Sequence, residues 1–340
     1  MNPAVLALLN EIRDAAERAD TVALNRLITR YAAIDRRLAA DIDALVGDLK
    51  DMDTPSRNRV QALASYARLM DDIAREVQDF AGYLRTELTA EAEQAAVRGE
   101  ADGRKLFALA LIAASLSNFP FALDDLAPAV AETSAGLATS DPLAVLAKYL
   151  APDGELFRRI DLLAPGVADR VSQAILDNVA LGKNPITIAR LIRRDFGVGL
   201  SDALRMTRTT QLYAYREAGR ANMETNGVTE WIWFATLDGD TCLSCYAMHG
   251  TRHPISEMLN DHHNGRCAQI PVVGDGLDVG NGRDAFDSLS AAEQKALAGP
   301  GKLKAYQEGR IEFGQFSGTH EDGVFGEMRV EATLKGLLGQ

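Results

Sequence analysis

For some 220 residues the apolar side chains of this chain recur every three or four positions, the period of a helix that buries one face. Leu6, Leu9, Ile12 and Ala16 form the first such stripe. Asp20-Thr21 reads as the start of a second helix, with Leu24, Leu27, Ile28, Tyr31, Ile34 and Leu38 on one face. Thr54-Pro55 is a cap followed by a proline at the first helical position. The helix it opens is expected from 56 to about 88, along Val60, Leu63, Tyr66, Met70, Ile73, Val77, Phe80 and Leu84. Gly99 and Gly103 predict a break, and 105–116 a buried helix closed by Asn118-Phe119-Pro120. Shorter helices follow, separated by Pro and Gly. Gly182-Lys183-Asn184-Pro185 starts a helix to about 196, Ser201 caps another to about 224, and Asn226-Gly227 ends it. Alanine and leucine dominate the apolar content while aromatics make up only 6%, which favours helix over sheet.

The pattern changes after Gly227. Val228, Trp231, Trp233, Phe234 and Thr236 form a β-type run that holds both tryptophans, and 268–273 predicts a second short strand. The stretch 274–284 reads as loop. Ser290 and Glu293 fit a capping box for a helix to about Leu297, which Gly299-Pro300-Gly301 interrupts. The last forty residues read as a Gly-rich tail with a helix near 331–338. A length of 340 residues gives a prior of about two domains. The expected fold is therefore mainly α: an all-helical body over 1–226 and a small α+β module over 227–340.

Charge is unevenly placed. The chain has 36 basic and 48 acidic residues, net −12. Residues 1–182 carry net −9 and 221–340 net −8, whereas 183–220 carry net +5. The basic groups of that middle segment are Lys183, Arg190, Arg193, Arg194, Arg205, Arg208, Arg216 and Arg220. An acidic chain is a poor general DNA-coating protein. The basic segment is a candidate contact for DNA or an acidic partner, although paired arginines on a helix face are the commoner outcome. Met1-Asn2-Pro3 leads straight into an amphipathic segment, so no signal peptide is expected. The longest apolar stretch, 106–116, is too short for a bilayer span.

All 3 cysteines fall between 242 and 267. Cys242-Leu243-Ser244-Cys245 is a C-x₂-C knuckle, whose tight turn points both sulfurs to one side. His262 and Cys267 follow at a distance that completes a tetrahedral Cys₃His set. Sulfur with one imidazole selects zinc, and four protein ligands make a structural site. The histidine is the least determined member: His249, His253 and His263 lie in the same stretch and are alternative ligands. Three free thiols without a metal, or a redox dithiol, remain the competing readings of the cysteines, and the dithiol lacks a βαβ setting. Asp261-His262-His263-Asn264 has a surface likeness to a His-rich ββα-metal nuclease, but no metal-binding helix follows it. No Walker loop, His-Glu-x-x-His motif or nucleophile elbow occurs.

Several of these residues form one longer pattern. It runs from Gly182-Lys183-Asn184-Pro185 and Ala189-Arg190-Leu191, through Arg208-Thr209, Ala214 and Ala218-Gly219-Arg220, to Gly227-Val228 and Trp233. It continues with Asp238, Thr241-Cys242, Cys245, Gly250, His262 and Arg266-Cys267. Over about 182–273 this resembles the phage head morphogenesis family, the Mu F-like minor head proteins of tailed phages and prophages. The tail around Ala298-Gly299-Pro300, Tyr306 and Gly309-Arg310-Ile311 is also similar. Two positions depart from the pattern. Gly265 stands where the family has the first cysteine of Cys-Arg-Cys, and Thr210 stands where an acidic residue usually follows Arg-Thr. The resemblance implies a non-enzymatic assembly component that associates with the portal protein, with a major capsid or scaffold protein, and with packaged DNA. It implies a place in the virion, at the capsid interior or portal vertex, and in the host cytoplasm during assembly. Neither it nor the hydropathy implies a membrane. The zinc would staple the small module, which is too small to hold itself by core burial alone.

Overall fold

The computed structural model of the chain describes residues 3–116 and 122–339. The elements are, in order, α1 (Pro3–Lys50), α2 (Arg57–Gln61), α3 (Ala64–Ser115), α4 (Leu123–Gly136), α5 (Glu155–Asp161), α6 (Leu163–Ala180) and α7 (Pro185–Thr225). Then come β1 (Glu230–Phe234), α8 (Leu243–Met248), β2 (Arg252–Pro254), β3 (Ala268–Pro271), α9 (Gly282–Asp287), α10 (Ala291–Gln307), β4 (Ser317–Asp322), β5 (Gly326–Glu331) and α11 (Leu334–Leu338). The mainly helical class with a small sheet-bearing C-terminal region is as expected. Among the described residues no helix is long and apolar enough to cross a membrane.

Three expected interruptions are absent. α1 runs through Asp20-Thr21, α3 through Gly99 and Gly103, and α7 through Gly197, Gly199 and Ser201. A polar or glycine residue inside a helix costs at most about 1 kcal/mol. Each leucine or isoleucine that a continuous stripe buries is worth about 1.5–3 kcal/mol, so burial decides. The proposed stop at Asn118-Phe119-Pro120 lies outside the described residues. At the short α2 the cap is Ser56, whose side chain accepts from the Arg59 N–H.

The chain forms two compact units. One comprises Ala19–Glu91 and Leu150–Thr210 and is wholly helical. Its buried positions step at helical spacing: Leu27, Tyr31, Ile34 and Leu38 on α1, Leu69, Ile73, Val77, Phe80 and Leu84 on α3, Val167, Val171 and Ile175 on α6. Tyr31 lies at its centre. The ring stacks on Phe196 at 4.6 Å and meets Phe80 edge-on at 4.9 Å, and the hydroxyl donates to the Phe196 carbonyl at 2.8 Å. Gly199 explains the close fit, since a Cβ there would come within 2.6 Å of both the Tyr31 oxygen and a Val167 methyl.

The other unit comprises Met1–Arg18, Ala92–Tyr149 and Gln211–Gln340 and contains all the strands. β1 is the centre of an antiparallel sheet ordered β2-β1-β3, with Trp231 opposite His253 and Ile232 opposite Ile270. Alternate residues of β1 point to opposite faces, and both faces are buried. Ile232 and Phe234 join a core with Leu8, Phe107, Leu126 and Met223. Trp231 and Trp233 join a second core with Cys245, Leu259 and Cys267. A third core forms around Phe286, Phe313 and Phe316. The capping box at Ser290 and Glu293 is present, but α10 continues to Gln307 across a kink at Gly299, where φ is 71°. The tail read as Gly-rich loop contains a paired hairpin, β4 with β5.

Within this unit α3 and α7 touch backbone to backbone. A Cβ on Gly99 would lie 1.9 Å from the Tyr215 carbonyl oxygen, and one on Gly103 would lie 2.9 Å from the Gly219 Cα. Neither neighbour is a side chain that can swing away. Gly99→Ala is therefore expected to destabilise the chain by about 1–3 kcal/mol, the usual range for overpacking. Gly82→Ala, on the same helix with nothing within 4 Å, is expected to be neutral or to stabilise by up to about 1 kcal/mol. Urea unfolding of the two variants checks this, and equal midpoints would refute the close packing.

Candidate metal centre

The cysteine knuckle is built by its own loop. Leu237 takes a positive φ of 56°, and Asp238 then accepts from the Thr241 hydroxyl at 3.0 Å and from the Asp240 N–H at 3.1 Å. Arg266 grips the same carboxylate with two bonds, at 2.8 and 2.6 Å, and holds it below the usual carboxylate range. Cys242 is thereby placed as the N-cap of α8, its sulfur accepting the Cys245 N–H at 3.4 Å. One helical turn then sets the two sulfurs 3.4 Å apart.

His262 completes the group. The turn after it closes with the Gly265 N–H on the His262 carbonyl at 2.9 Å, and Asn264 takes a φ of 60°. Its Nδ1 lies 2.9 Å from the His263 carbonyl and so carries the proton. Nε2 faces Cys242 at 3.3 Å and Cys245 at 3.4 Å. With the Nε2 proton gone this is the tautomer a metal-bound imidazole requires. In the absence of metal that proton is held by the cluster. The Cys245 S–H first, and His262 second, hold the Cys242 thiol well below its ordinary range. Sharing that proton pushes Cys245 up. His262 is raised to about 9 by its bond to Cys242. Without a metal the cluster thus retains a proton on imidazole where a cation would sit. The soft sulfur and nitrogen donors suit zinc.

Cys242, Cys245 and His262 bring their donor atoms within 4.8 Å of one another. Cys267 belongs to a second, overlapping group with Cys245 and Asp261. Its thiol is buried and raised by that burial. The three alternative histidines are engaged elsewhere. His249 accepts from the Ala235 N–H and donates to the Val279 carbonyl, and burial holds it neutral. His253 stacks on Trp231 at 4.4 Å and bonds Thr251 at 2.8 Å. His263 faces Asp322 at 3.3 Å.

The basic segment is largely matched inside the chain. Arg193 pairs with Asp35, Arg194 with Asp195, Arg205 with Asp202, Arg208 with Asp20, and Arg220 with Glu217 and Glu224. Lys183 and Arg190 are exposed. Arg216 is different. It is 5% exposed and turns inward, donating to the carbonyls of Cys267 and Gly265 at 3.0 and 2.7 Å and to Asp261 at 3.3 Å. Asp261 also accepts the N–H groups of His262 and Cys267. Neither residue's role here shows in the spacing of the motif.

An all-helical stretch thus leads into a C-x₂-C knuckle beside a short sheet. Residues 169–270 match the family described as Phage Mu protein F like protein, so this segment is similar to that family. The resemblance seen in the sequence is borne out, with matched limits of 169–270 in place of about 182–273. The match supports a phage head morphogenesis protein. No curated protein and no solved structure matches the chain.

Arg216 ties α7 to both ends of the 261–267 loop. Arg216→Met is expected to leave Asp261 as an uncompensated buried charge and to cost about 3–5 kcal/mol. Urea unfolding of the metal-free protein measures this, and a loss below about 1 kcal/mol would show that the ion pair is dispensable.

Proposed function

We propose that this chain is a minor head protein of a tailed phage, prophage or phage-like particle. In this reading it acts in capsid assembly, associates with the portal vertex and contacts packaged DNA. The observation that carries it is the Mu F-like match over 169–270, which spans the whole donor cluster. Its partners are the portal protein and a major capsid or scaffold protein, and its place is the virion. Exposed Lys183, just ahead of α7, and Arg190 on α7 are the basic groups available for DNA or an acidic partner surface.

The metal is zinc, with a structural role. Cys242, Cys245 and His262 supply three ligands and the Cys245–Asp261–Cys267 group supplies the fourth. When bound, the ion cross-links the 242–245 knuckle to the 261–267 loop and supplies folding free energy to the short sheet and its tryptophan core. The division near 226 has the same basis, because the elements that need the metal begin at β1.

Two measurements test this. Purified protein is expected to retain one zinc per chain through dialysis and to leave plasmid DNA intact with added Mg²⁺ or Mn²⁺. Metal-dependent cleavage lost on His263→Ala would replace this reading with a nuclease. In a phage or prophage that encodes the chain, its deletion is expected to abolish DNA-filled heads, with rescue by the gene supplied in trans. Normal particle yield without it would sink the assembly role.

A further inference from the structure

Asp261 is fully buried, at 0% exposure, and its carboxylate lies against the donor cluster. Its Oδ1 is 3.6 Å from the Cys245 sulfur and 3.5 Å from His262 Nε2. The other three donors stand 3.3–3.4 Å apart. Bonds of about 2.0–2.3 Å to a tetrahedral zinc place neighbouring donors roughly 3.3–3.8 Å apart. These five separations all fall in that range, and the sixth edge of a four-donor site, Cys242 to Asp261, is longer. Cys267 reaches the cluster through Cys245, whereas Asp261 reaches Cys245 and His262 together.

The neighbouring glycine shows why the carboxylate fits. A Cβ on Gly265 would lie 2.0 Å from Asp261 Oδ2 and 2.6 Å from Oδ1. The space that a side chain at 265 would use is the space the Asp261 carboxylate fills. One position thus has two possible occupants, and in this chain the Asp261 carboxylate holds it.

We propose that Asp261, not Cys267, is the fourth metal ligand, its carboxylate standing in the position that Gly265 leaves open. This rests on the zinc reading above and refines it. Charge supports the assignment. Cys245 binds metal as a thiolate, which removes the S–H bond to Oδ1 and leaves two buried anions 3.6 Å apart. A cation shared between them removes the repulsion. Arg216 lies against Oδ2 at 3.3 Å, and the His262 and Cys267 N–H groups hold the carboxylate in place from the other sides, at 2.9 and 3.2 Å. Arg216 is a positioning residue here. Cys267 packs among Trp231 and Trp233 as a buried thiol.

Cobalt in place of zinc reads the donor set directly, because the thiolate-to-cobalt absorption band scales with the number of bound sulfurs. The full-length chain would be loaded with Co²⁺, and affinity taken by zinc competition. One ion per chain with a two-thiolate band is expected. Cys267→Ser should keep that band and an affinity within about threefold. Asp261→Asn should lose at least tenfold in affinity, of the order seen when a group that supports a metal site is removed. The double variant Asp261→Ala with Gly265→Cys should bind again, with the band increased by half. Circular dichroism at each step separates lost binding from lost folding, and the double variant carries the test if Asp261→Asn does not fold. A band that falls by one half or one third in Cys267→Ser, an unchanged affinity in Asp261→Asn, or two ions per chain would overturn the assignment while keeping a metal site. No cobalt binding by the unaltered chain would overturn the zinc reading itself.

Discussion

The buried contact between Arg216 and Asp261 sets the arrangement of everything around the knuckle. A carboxylate removed from water is stable only if each oxygen is matched. Asp261 meets this requirement with one arginine and two backbone N–H groups, and in doing so it fixes the path of the 261–267 loop. Arg216 also binds the carbonyls of Gly265 and Cys267, so the loop is held at both its outward and its returning strand end. From there β3 is delivered to β1, and β1 places its two tryptophans behind the cysteines. The continuous α7 is the rod that carries this arginine to the site.

The sequence made the local features legible. The C-x₂-C turn, the alternation along β1 and the Ser290 capping box each depend on residues within a few positions, and each is present. Helix continuity was less legible, because Gly99, Gly103 and Gly199 look like stops until the partner surface is known. Gly99 and Gly103 are in α3 to let α7 approach, a reason that resides a hundred residues away. The β4–β5 hairpin was hidden for a similar cause: its strands carry few apolar residues, and its anchors Phe325 and Met328 pack against Tyr149 and Tyr213 from distant elements.

The site was legible in part. Cysteines announce themselves by rarity and spacing, and His262 followed from them. Asp261 did not, since an acidic residue beside a histidine is common and its value depends on burial. Arg216 was counted among a basic stretch, whereas the fold separates it from its neighbours: most of those arginines find carboxylates at the surface and this one is drawn inside. The alternative histidines have partners elsewhere in the fold, which spacing cannot reveal.

The shared volume of Gly265 and Asp261 has a bearing on how such a sequence can change. A larger residue at 265 collides with the carboxylate, and a shortened residue at 261 empties the position with nothing to replace it. Each substitution alone passes through a damaged protein, while the two together do not. The positions therefore behave as a single hereditary choice between two ways of filling one space. Among sequences that share this loop, a side chain at the first position is expected to forbid one at the other, and a lineage that has taken either path will find the return route closed to single steps.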